Sequence, residues 1–546
     1  MAYVSSREYV SIPLSVRHFA VNQGGTAGDF VYLSVLDRVM LYSVGDVFLF
    51  SDKQRRVIIM NLYPAKEQLY KLASSGEYHT VPISLKQKCN VSETEIYRIL
   101  KNVSRHVFIL DSAEKNSPHG RYTFLGFDPS LELTCRSGIV RLRSATNLTF
   151  ENADPNFYIR KVLDENHAPK IEGLPPFTGG LVGYFSFDYI RYSEPKLKFD
   201  IPDEENFCDV DLMLFNKIIA VDHYTNEIIF ITNINTDDFE INYNKAVLEL
   251  KSMAFMLDEV EPKNEPKGRL AEPLSPLFDK ETFCKMVENA KKRIFEGDIF
   301  QVVLSNRLAA KYDGSLFYTY CKLRESNPSP YMFYFSSDDV EIAGASPETL
   351  VKSVDGLVTT YPLAGTRPRG KTEEEDLALE KELLSDEKEL AEHNMLVDLG
   401  RNDIGKIAQF GTVKVDKYME IERYSHVMHI GSAVSGILRS EYDGLKAVEA
   451  VLPAGTLSGA PKIKACEIIS ESEQNKRGIY GGAIGYLAFN GDMDTCIAIR
   501  LAFKKNGKVF VRSGAGIVAD SIPENEYQEC INKAKAVVNA LEEAAQ

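Results

Sequence analysis

Apolar positions along the chain follow two periods. In 280–296, 372–396 and 523–543 they recur every three or four residues, the spacing of one face of an α-helix. Short runs rich in β-branched and aromatic residues, at 218–221, 228–232, 332–335 and 508–512, read instead as strands. Long helices mixed with hairpin-like strands predict an α+β fold. In the last helix Tyr527, Ile531, Ala534, Val538 and Leu541 form the expected buried stripe. Glu526, Glu529 and Lys533 form a separate row about a third of a turn away.

The order of these elements hints at an internal duplication. Gly179-Gly-Leu-Val-Gly-Tyr-Phe185 and Gly481-Gly-Ala-Ile-Gly-Tyr-Leu487 are similar turn-then-strand phrases. Between them, 256–278 is charged and rich in proline (Pro262, Pro266, Pro273, Pro276), so it reads as a linker separating 60–255 from 279–546. The first 59 residues differ in texture from the rest of the chain, and Met60-Asn-Leu-Tyr-Pro64 begins like the N-terminus of a domain. The segment 1–59 is either a small β-rich extension or a stretch preceding a biological start at Met60.

Bulk properties narrow the function class. The 546 residues, 44% of them hydrophobic, suffice for a large core. A formal net charge of -15 argues against non-specific nucleic-acid binding, which needs a basic surface. The apolar stretch 30–50 is broken by Asp37, Arg38 and Asp46 and makes a poor membrane span, and the N-terminus does not read as a signal peptide. Eight cysteines without CxxC spacing fit reduced thiols and a cytoplasmic location.

Candidate chemistry concentrates in four places. Tyr361-Pro-Leu-Ala-Gly-Thr-Arg-Pro-Arg-Gly370 joins backbone restriction at Pro362 and Pro368 to a hydroxyl and two guanidiniums (Thr366, Arg367, Arg369), suiting it to grip an anion, while Ala364 is inert. An ordinary turn with two solvated arginines is the alternative. Glu389 and Glu392, three residues apart on one helix, and Glu526 and Glu529 on another, can offer two carboxylates each to one Mg²⁺; a solvated Glu529–Lys533 pair is the plainer reading. Ser513-Gly-Ala-Gly-Ile-Val-Ala519 matches a dinucleotide fingerprint formally, but the chain ends after the next helix, so no βαβ unit can form. Its amides can still bind a carboxylate. No Walker A motif, G-x-S-x-G elbow or zinc-type cluster occurs.

Together, Gly297-Asp-Ile-Phe-Gln-Val-Val-Leu-Ser305, Ala345-Ser-Pro-Glu348, Pro362 to Gly370, 389–403, Leu452-Pro-Ala-Gly-Thr-Leu-Ser-Gly-Ala-Pro-Lys462 and Gly514-Ala-Gly516 resemble the chorismate-binding enzymes. The similarity is greatest to component I of anthranilate synthases and runs from about Met60 to the C-terminus. It implies a four-layer α/β/β/α fold of two packed, mostly antiparallel sheets. It also implies a Mg²⁺-dependent reaction on chorismate, with Glu392 and Glu529 as metal ligands supported by Glu389 and Glu526. Gly365, Thr366, Tyr480, Arg500, Gly514, Ala515, Gly516 and Lys533 would hold the substrate. Glu348 would be the general acid for the leaving 4-hydroxyl, His429 would serve pyruvate elimination, and Thr456 would orient the ring.

Two positions bear on the nucleophile. Isochorismate and salicylate synthases place a lysine where this chain has Gln301, and aminodeoxychorismate synthases often place one at Ala364. Neither residue here supplies an amine, which leaves ammonia as the attacker. Without a glutaminase loop G-x-C-x-G, the resemblance implies a separate glutamine amidotransferase subunit, component II, in a heterotetramer. The runner-up expectation is aminodeoxychorismate synthase component I, and the third a non-catalytic tryptophan-sensing subunit.

Leu110-Asp-Ser112, Gly120 to Gly126 and Asn327-Pro-Ser-Pro-Tyr-Met332 resemble a feedback tryptophan site, with Asp111, Ser112, Pro330, Tyr331 and Met332 as its residues. Asp111 stands where the family carries glutamate. A strand-to-loop packing contact is the alternative. Asn306 also departs from the family's longer or charged residue.

Overall fold

The computed structural model describes residues 62–115, 120–197, 201–424 and 427–545, together with the strands Val31–Val35, Arg38–Ser43 and Asp46–Ser51. The chain forms two units, Met1–Asn61 and Leu62–Gln546. In the first, those three strands make an antiparallel meander. The rest of the 1–59 segment, with the start expected at Met60, lies outside the described residues.

The second unit is built on a 12-stranded and a 14-stranded sheet whose pairings are antiparallel. Three apolar layers define its depth. Phe108, Phe124, Phe333 and Phe510 of the larger sheet pack against Val182, Tyr184, Phe215 and Tyr486 of the smaller one. On the outer face of the smaller sheet, Leu181 and Phe185 join Ile159, Val397 and Val448 from helices. On the outer face of the larger sheet, Val302 and Leu304 join Phe283, Ile468 and Cys530. The α/β/β/α order results, and strands covered on both faces explain the nearly unbroken apolar runs such as 228–232.

The duplication is visible in strand order. At the centre of the smaller sheet Gly180–Phe185 pairs antiparallel with Ala483–Ala488, Gly183 opposite Gly485, so the two similar phrases face each other. At the centre of the larger sheet Val107–Asp111 pairs with Tyr331–Ser336. Outward from each centre the halves repeat the same order of strands in inverted directions. The linker at 256–278 is therefore a boundary in sequence only. Both halves feed both sheets, and 60–255 and 279–546 are not separate compact bodies.

Three local expectations need correction. The helix expected over 372–396 is two, Glu373–Leu383 and Glu387–Gly405, because the Asp386 carboxylate accepts the amides of Lys388 and Glu389 and starts a new helix. The strand expected at 508–512 continues to Ile517. In the last helix, Pro523–Glu543, Ala534 and Leu541 of the expected stripe are buried, but Cys530, Val537 and Ala540 complete it, Tyr527 and Val538 are half-buried and Ile531 is exposed; the buried face is turned by roughly 60° from the predicted one. Asn306 closes the linker's end onto the sheet, since its side-chain amide accepts the N–H of Phe278 and donates to the Phe278 carbonyl.

Candidate active site

A cleft of about 580 Å³ opens where the ends of Gln301–Asp313 and Lys508–Ile517 meet the helices Glu387–Gly405 and Pro523–Glu543. Gln301, Glu348, Gly365, Thr366, Glu389, Glu392, His429, Thr456, Tyr480, Arg500, Gly514, Gly516, Glu526, Glu529 and Lys533 all line it. Ala515 does not: its side chain is fully buried in the layer under the strand. Strand alternation is the reason. Arg512, Gly514, Gly516 and Val518 share the cleft face. The amides of Val303 and Ser305 donate to Ser458 and Glu473, which makes their partners Gly516 and Gly514 the non-bonded pairs of the ladder. The N–H groups of Gly514 and Gly516 thus turn away from the neighbouring strand, and that of Ala515 faces it.

The segment 361–370 forms a strand rather than a free loop, Leu363–Pro368, along Val427–Ile437. A bulge at Gly365, at φ +65°, turns its carbonyl to the Nδ1–H of His429 at 2.8 Å. A side chain there would meet Leu383 at 2.9 Å and Glu389 at 3.3 Å. A carbonyl can only accept, so Nδ1 carries the proton, and the buried Nε2 has no partner among the described residues. Burial lowers the His429 pKa, which keeps the ring neutral and Nε2 basic. The two arginines of this segment do not face the cleft. Arg367 is held by Glu382, Asp386 and Glu389, and Arg369 by Asp376 and the Tyr424 carbonyl.

Glu348 is buried, and burial pushes its pKa up to about 8 against the weaker opposing effects of the Thr456 hydroxyl, the Leu363 backbone and Arg500. Thr456 donates to its Oε1 at 3.1 Å. A carboxyl protonated near neutrality and a neutral imidazole lining the same cleft can serve as an acid and a base. Arg500 adopts left-handed backbone, φ +50°, an uncommon cost for a non-glycine residue, and makes no ion pair among the described residues. Among the described residues, Arg500 and Lys388 are the cleft-lining cations without an ion pair. Lys533, by contrast, is paired with Glu529 at 2.6 Å and donates to the Gly514 carbonyl at 3.1 Å.

The carboxylates fit a hard divalent cation in kind. Burial and then the charge of Glu389 raise the Glu392 pKa; burial and the charge of Glu529 raise that of Glu526. A cation would relieve that repulsion, and oxygen donors suit Mg²⁺. No three of these groups converge on one point among the described residues. Gln301 donates to Glu392 at 3.3 Å, and its buried Oε1 is unpartnered.

A second cavity, of about 280 Å³, lies beyond a wall made by Pro347 and Leu363, which line both spaces. Asp111, Ser112, Pro330, Tyr331 and Met332 all line it. The Asp111 carboxylate is already engaged by Arg324 at 2.9 Å, Thr123 at 2.5 Å and the Ser112 amide at 2.8 Å. Sequence reasoning missed Arg512 and Lys388 in the main cleft, although Arg512 stands two residues before Gly514 on the same strand face.

A family model described as chorismate binding enzyme matches residues 105–539. Anthranilate synthase component 1 of Acetivibrio thermocellus is 43% identical over 497 residues, covering 89% of this chain and 99% of that protein. The crystal structure of anthranilate synthase component I from Streptococcus pneumoniae TIGR4 superposes with a TM-score of 0.69 at 39% identity, covering 77% of this chain and 93% of that one. A menaquinone-specific isochorismate synthase from Escherichia coli, 18% identical, shares the fold with a TM-score of 0.63 over 87% of this chain and 98% of its own. Matched along most of its length by the family model and along nearly all of it by such relatives, the chain belongs to the chorismate-binding enzyme family, in the branch of anthranilate synthase component I.

Proposed function

We propose that the chain is the large subunit of an anthranilate synthase, converting chorismate and ammonia to anthranilate, pyruvate and water in the first committed step of tryptophan biosynthesis. The observation that carries this is that Glu348, whose carboxyl burial pushes toward the protonated form, His429, whose Nε2 has no partner among the described residues, and Arg500, without an ion pair among them, line one cleft. Arg500, Lys533 and the amides of Gly514 and Gly516 hold the substrate carboxylates, with Gly365, Thr366 and Tyr480 shaping the wall. Glu348 gives its proton to the departing 4-hydroxyl as ammonia bonds to the ring, and Thr456 keeps the carboxyl aimed. Gln301 presents its free Oε1 to an ammonia N–H. His429 then takes the ring proton as the enolpyruvyl oxygen leaves as an enolate, and returning that proton to the enolate carbon completes pyruvate beside an aromatic product. Glu392 and Glu529, supported by Glu389 and Glu526, would hold Mg²⁺, which supplies a hard counter-charge for the ring carboxylate.

Neither Gln301 nor Ala364 offers an amine, and Lys533 is tied to Glu529, which favours free ammonia as the nucleophile. Its source is a separate glutamine amidotransferase subunit in a heterotetramer. The smaller cavity is a tryptophan site acting by feedback, with Asp111 setting Ser112 in place.

Purified chain with chorismate, Mg²⁺ and ammonium tests the reading. Anthranilate with equimolar pyruvate is expected, and added tryptophan is expected to slow its formation. An amino-deoxy product without pyruvate would point to aminodeoxychorismate synthase, no turnover to a sensing subunit, and indifference to tryptophan to a mere packing contact around Asp111. In the His429→Ala variant, pyruvate release is expected to fall about 100-fold or more while amination continues, so that an aminated intermediate still bearing its enolpyruvyl group accumulates. Mass spectrometry of the reaction mixture decides it; unchanged product partition would remove His429 from the elimination step.

A further inference from the structure

Beneath the cleft lies an ionic cluster almost wholly shielded from solvent. Glu473, Arg477 and Arg512 are each 2% exposed. Glu473 accepts from Arg477 at 2.6 and 2.9 Å, from Arg512 at 3.2 Å, and from the amide and hydroxyl of Ser305 at 2.8 and 2.9 Å. Arg477 also donates to the carbonyls of Leu457 and Val303, both at 2.7 Å. Arg512 donates to the Ser305 hydroxyl at 2.9 Å, the Lys476 carbonyl at 3.0 Å and the Asn475 amide oxygen at 3.2 Å.

These bonds reach four walls of the site at once. Leu457 adjoins Thr456, and Val303 and Ser305 continue the strand of Gln301. Arg512 precedes Gly514 and Gly516 on their own strand, and Arg477 lies 5.9 Å from the Tyr480 ring. Four of the five N–H hydrogens of Arg512 are engaged by these bonds, although its side chain lines the cleft. Two guanidiniums against one carboxylate leave a surplus of positive charge, and low-dielectric surroundings extend its reach. Burial depresses the Arg512 pKa to about 10, which still leaves it charged at neutral pH. Burial opposes ionised Glu473, but the two arginines win and hold it below the ordinary carboxylate value. A buried salt bridge is weak evidence of stability, since an apolar replacement is often no worse; this one has a different use.

We propose that Arg512 is a positioning residue: through Glu473, Ser305 and Arg477 it locks the strand face of Gly514 and Gly516, the turn of Thr456 and the strand of Gln301 into one anion-receiving wall, and its cluster's surplus charge favours the dianionic substrate. This rests on chorismate being the substrate. Arg512→Gln keeps amide donors but removes the charge, and Arg512→Lys restores charge without the planar fork.

The experiment compares both with wild type in the ammonium-dependent assay and by amide hydrogen exchange. Arg512→Gln is expected to raise KM for chorismate about tenfold with kcat within about threefold, and Arg512→Lys to recover most of that loss. Exchange is expected to quicken in peptides covering 456–458 and 514–517 but not at the sheet centre, 180–185. A folded Arg512→Gln protein with wild-type KM, or one whose exchange rises everywhere as kcat and KM decline together, overturns the proposal. Should that variant not fold, Ser305→Ala removes only the hydroxyl between Arg512 and Glu473, and an unchanged KM and exchange pattern there are equally fatal. Absence of chorismate turnover in wild type defeats the proposed function instead, and the exchange pattern still decides whether the cluster holds the wall.

Discussion

Replacing Glu348 with glutamine is expected to lower kcat by about 100- to 10,000-fold while leaving KM for chorismate within a few-fold, because the amide keeps the shape of the acid but has no proton to give. The carboxyl lines the cleft with the Thr456 hydroxyl on its Oε1. Its pKa near 8 sets the wild-type pH profile: the acid form dominates below that value, so the rate falls as pH rises past about 8, and this limb vanishes in Glu348→Gln. Stability depends on the same proton. The folded value lies above the ordinary 4.5, so the native state binds the proton more tightly than the unfolded one. That contribution is complete below the unfolded pKa and is lost as pH rises through the folded one. The melting temperature of wild type, relative to the glutamine variant, should therefore decline between about pH 5 and pH 8. A parallel pair of curves, or a variant with full kcat, would exclude Glu348 as the acid.

Loss of a carboxylate from either opposing helix should be as damaging. Glu392→Gln and Glu529→Gln are each expected to abolish most Mg²⁺-supported turnover, and Glu389→Gln or Glu526→Gln to cost about 10- to 100-fold in Mg²⁺ affinity, the usual scale for groups that support a ligand rather than supply one. Titrating Mg²⁺ into the assay, with calorimetry on the protein alone, separates weak binding from failed chemistry. Side effects differ between the two ligands. Among the described residues Glu392 leans only on Gln301, so its amide is tolerated by the fold, whereas Glu529→Gln also frees Lys533 from its ion pair and leaves that cation to the substrate. Wild-type dependence on Mg²⁺ in both ligand variants would sink the assignment.

The motifs make the cleft legible because its chemistry is carried by residues that adjoin in sequence or stand one helical turn apart: Glu389 with Glu392, Glu526 with Glu529, Gly514 with Gly516. The apolar pattern bounds the long helix 523–543 correctly and picks out Ala534 and Leu541, but the larger side chains Ile531 and Val538 draw the predicted stripe away from Cys530 and Val537; a 3.6-residue period alone does not discriminate between overlapping stripes. The break at Asp386 is readable, since an aspartate with glutamate three residues on is a helix start. The fate of Arg367 and Arg369 is not. Their partners come from the two helices after them and from Tyr424, and nothing in the segment itself shows that its cations are already satisfied. Glu473 and Arg477 look like any i,i+4 surface pair. Only the layers around them show that both are buried, which turns an ordinary spacing into a framework element.

The inverted strand order explains how two cavities come to lie against each other in one unit. Between Leu357–Thr360 and Val427–Ile437 the second half inserts the strand Leu363–Pro368, two helices and the strand Lys414–Arg423, where the first half passes directly from Ile139–Arg143 to Asn147–Phe150. The helix Glu387–Gly405 and the strand Leu363–Pro368, both of which line the larger cleft, thus belong to one half of a symmetric frame. The smaller cavity opens on the seam, walled by Val107–Asp111 from one half and by Tyr331–Ser336 and Ala483–Ala488 from the other. Anything lodged there would be a wedge between twins, bearing on Pro347 and Leu363, the two residues that also line the larger cleft.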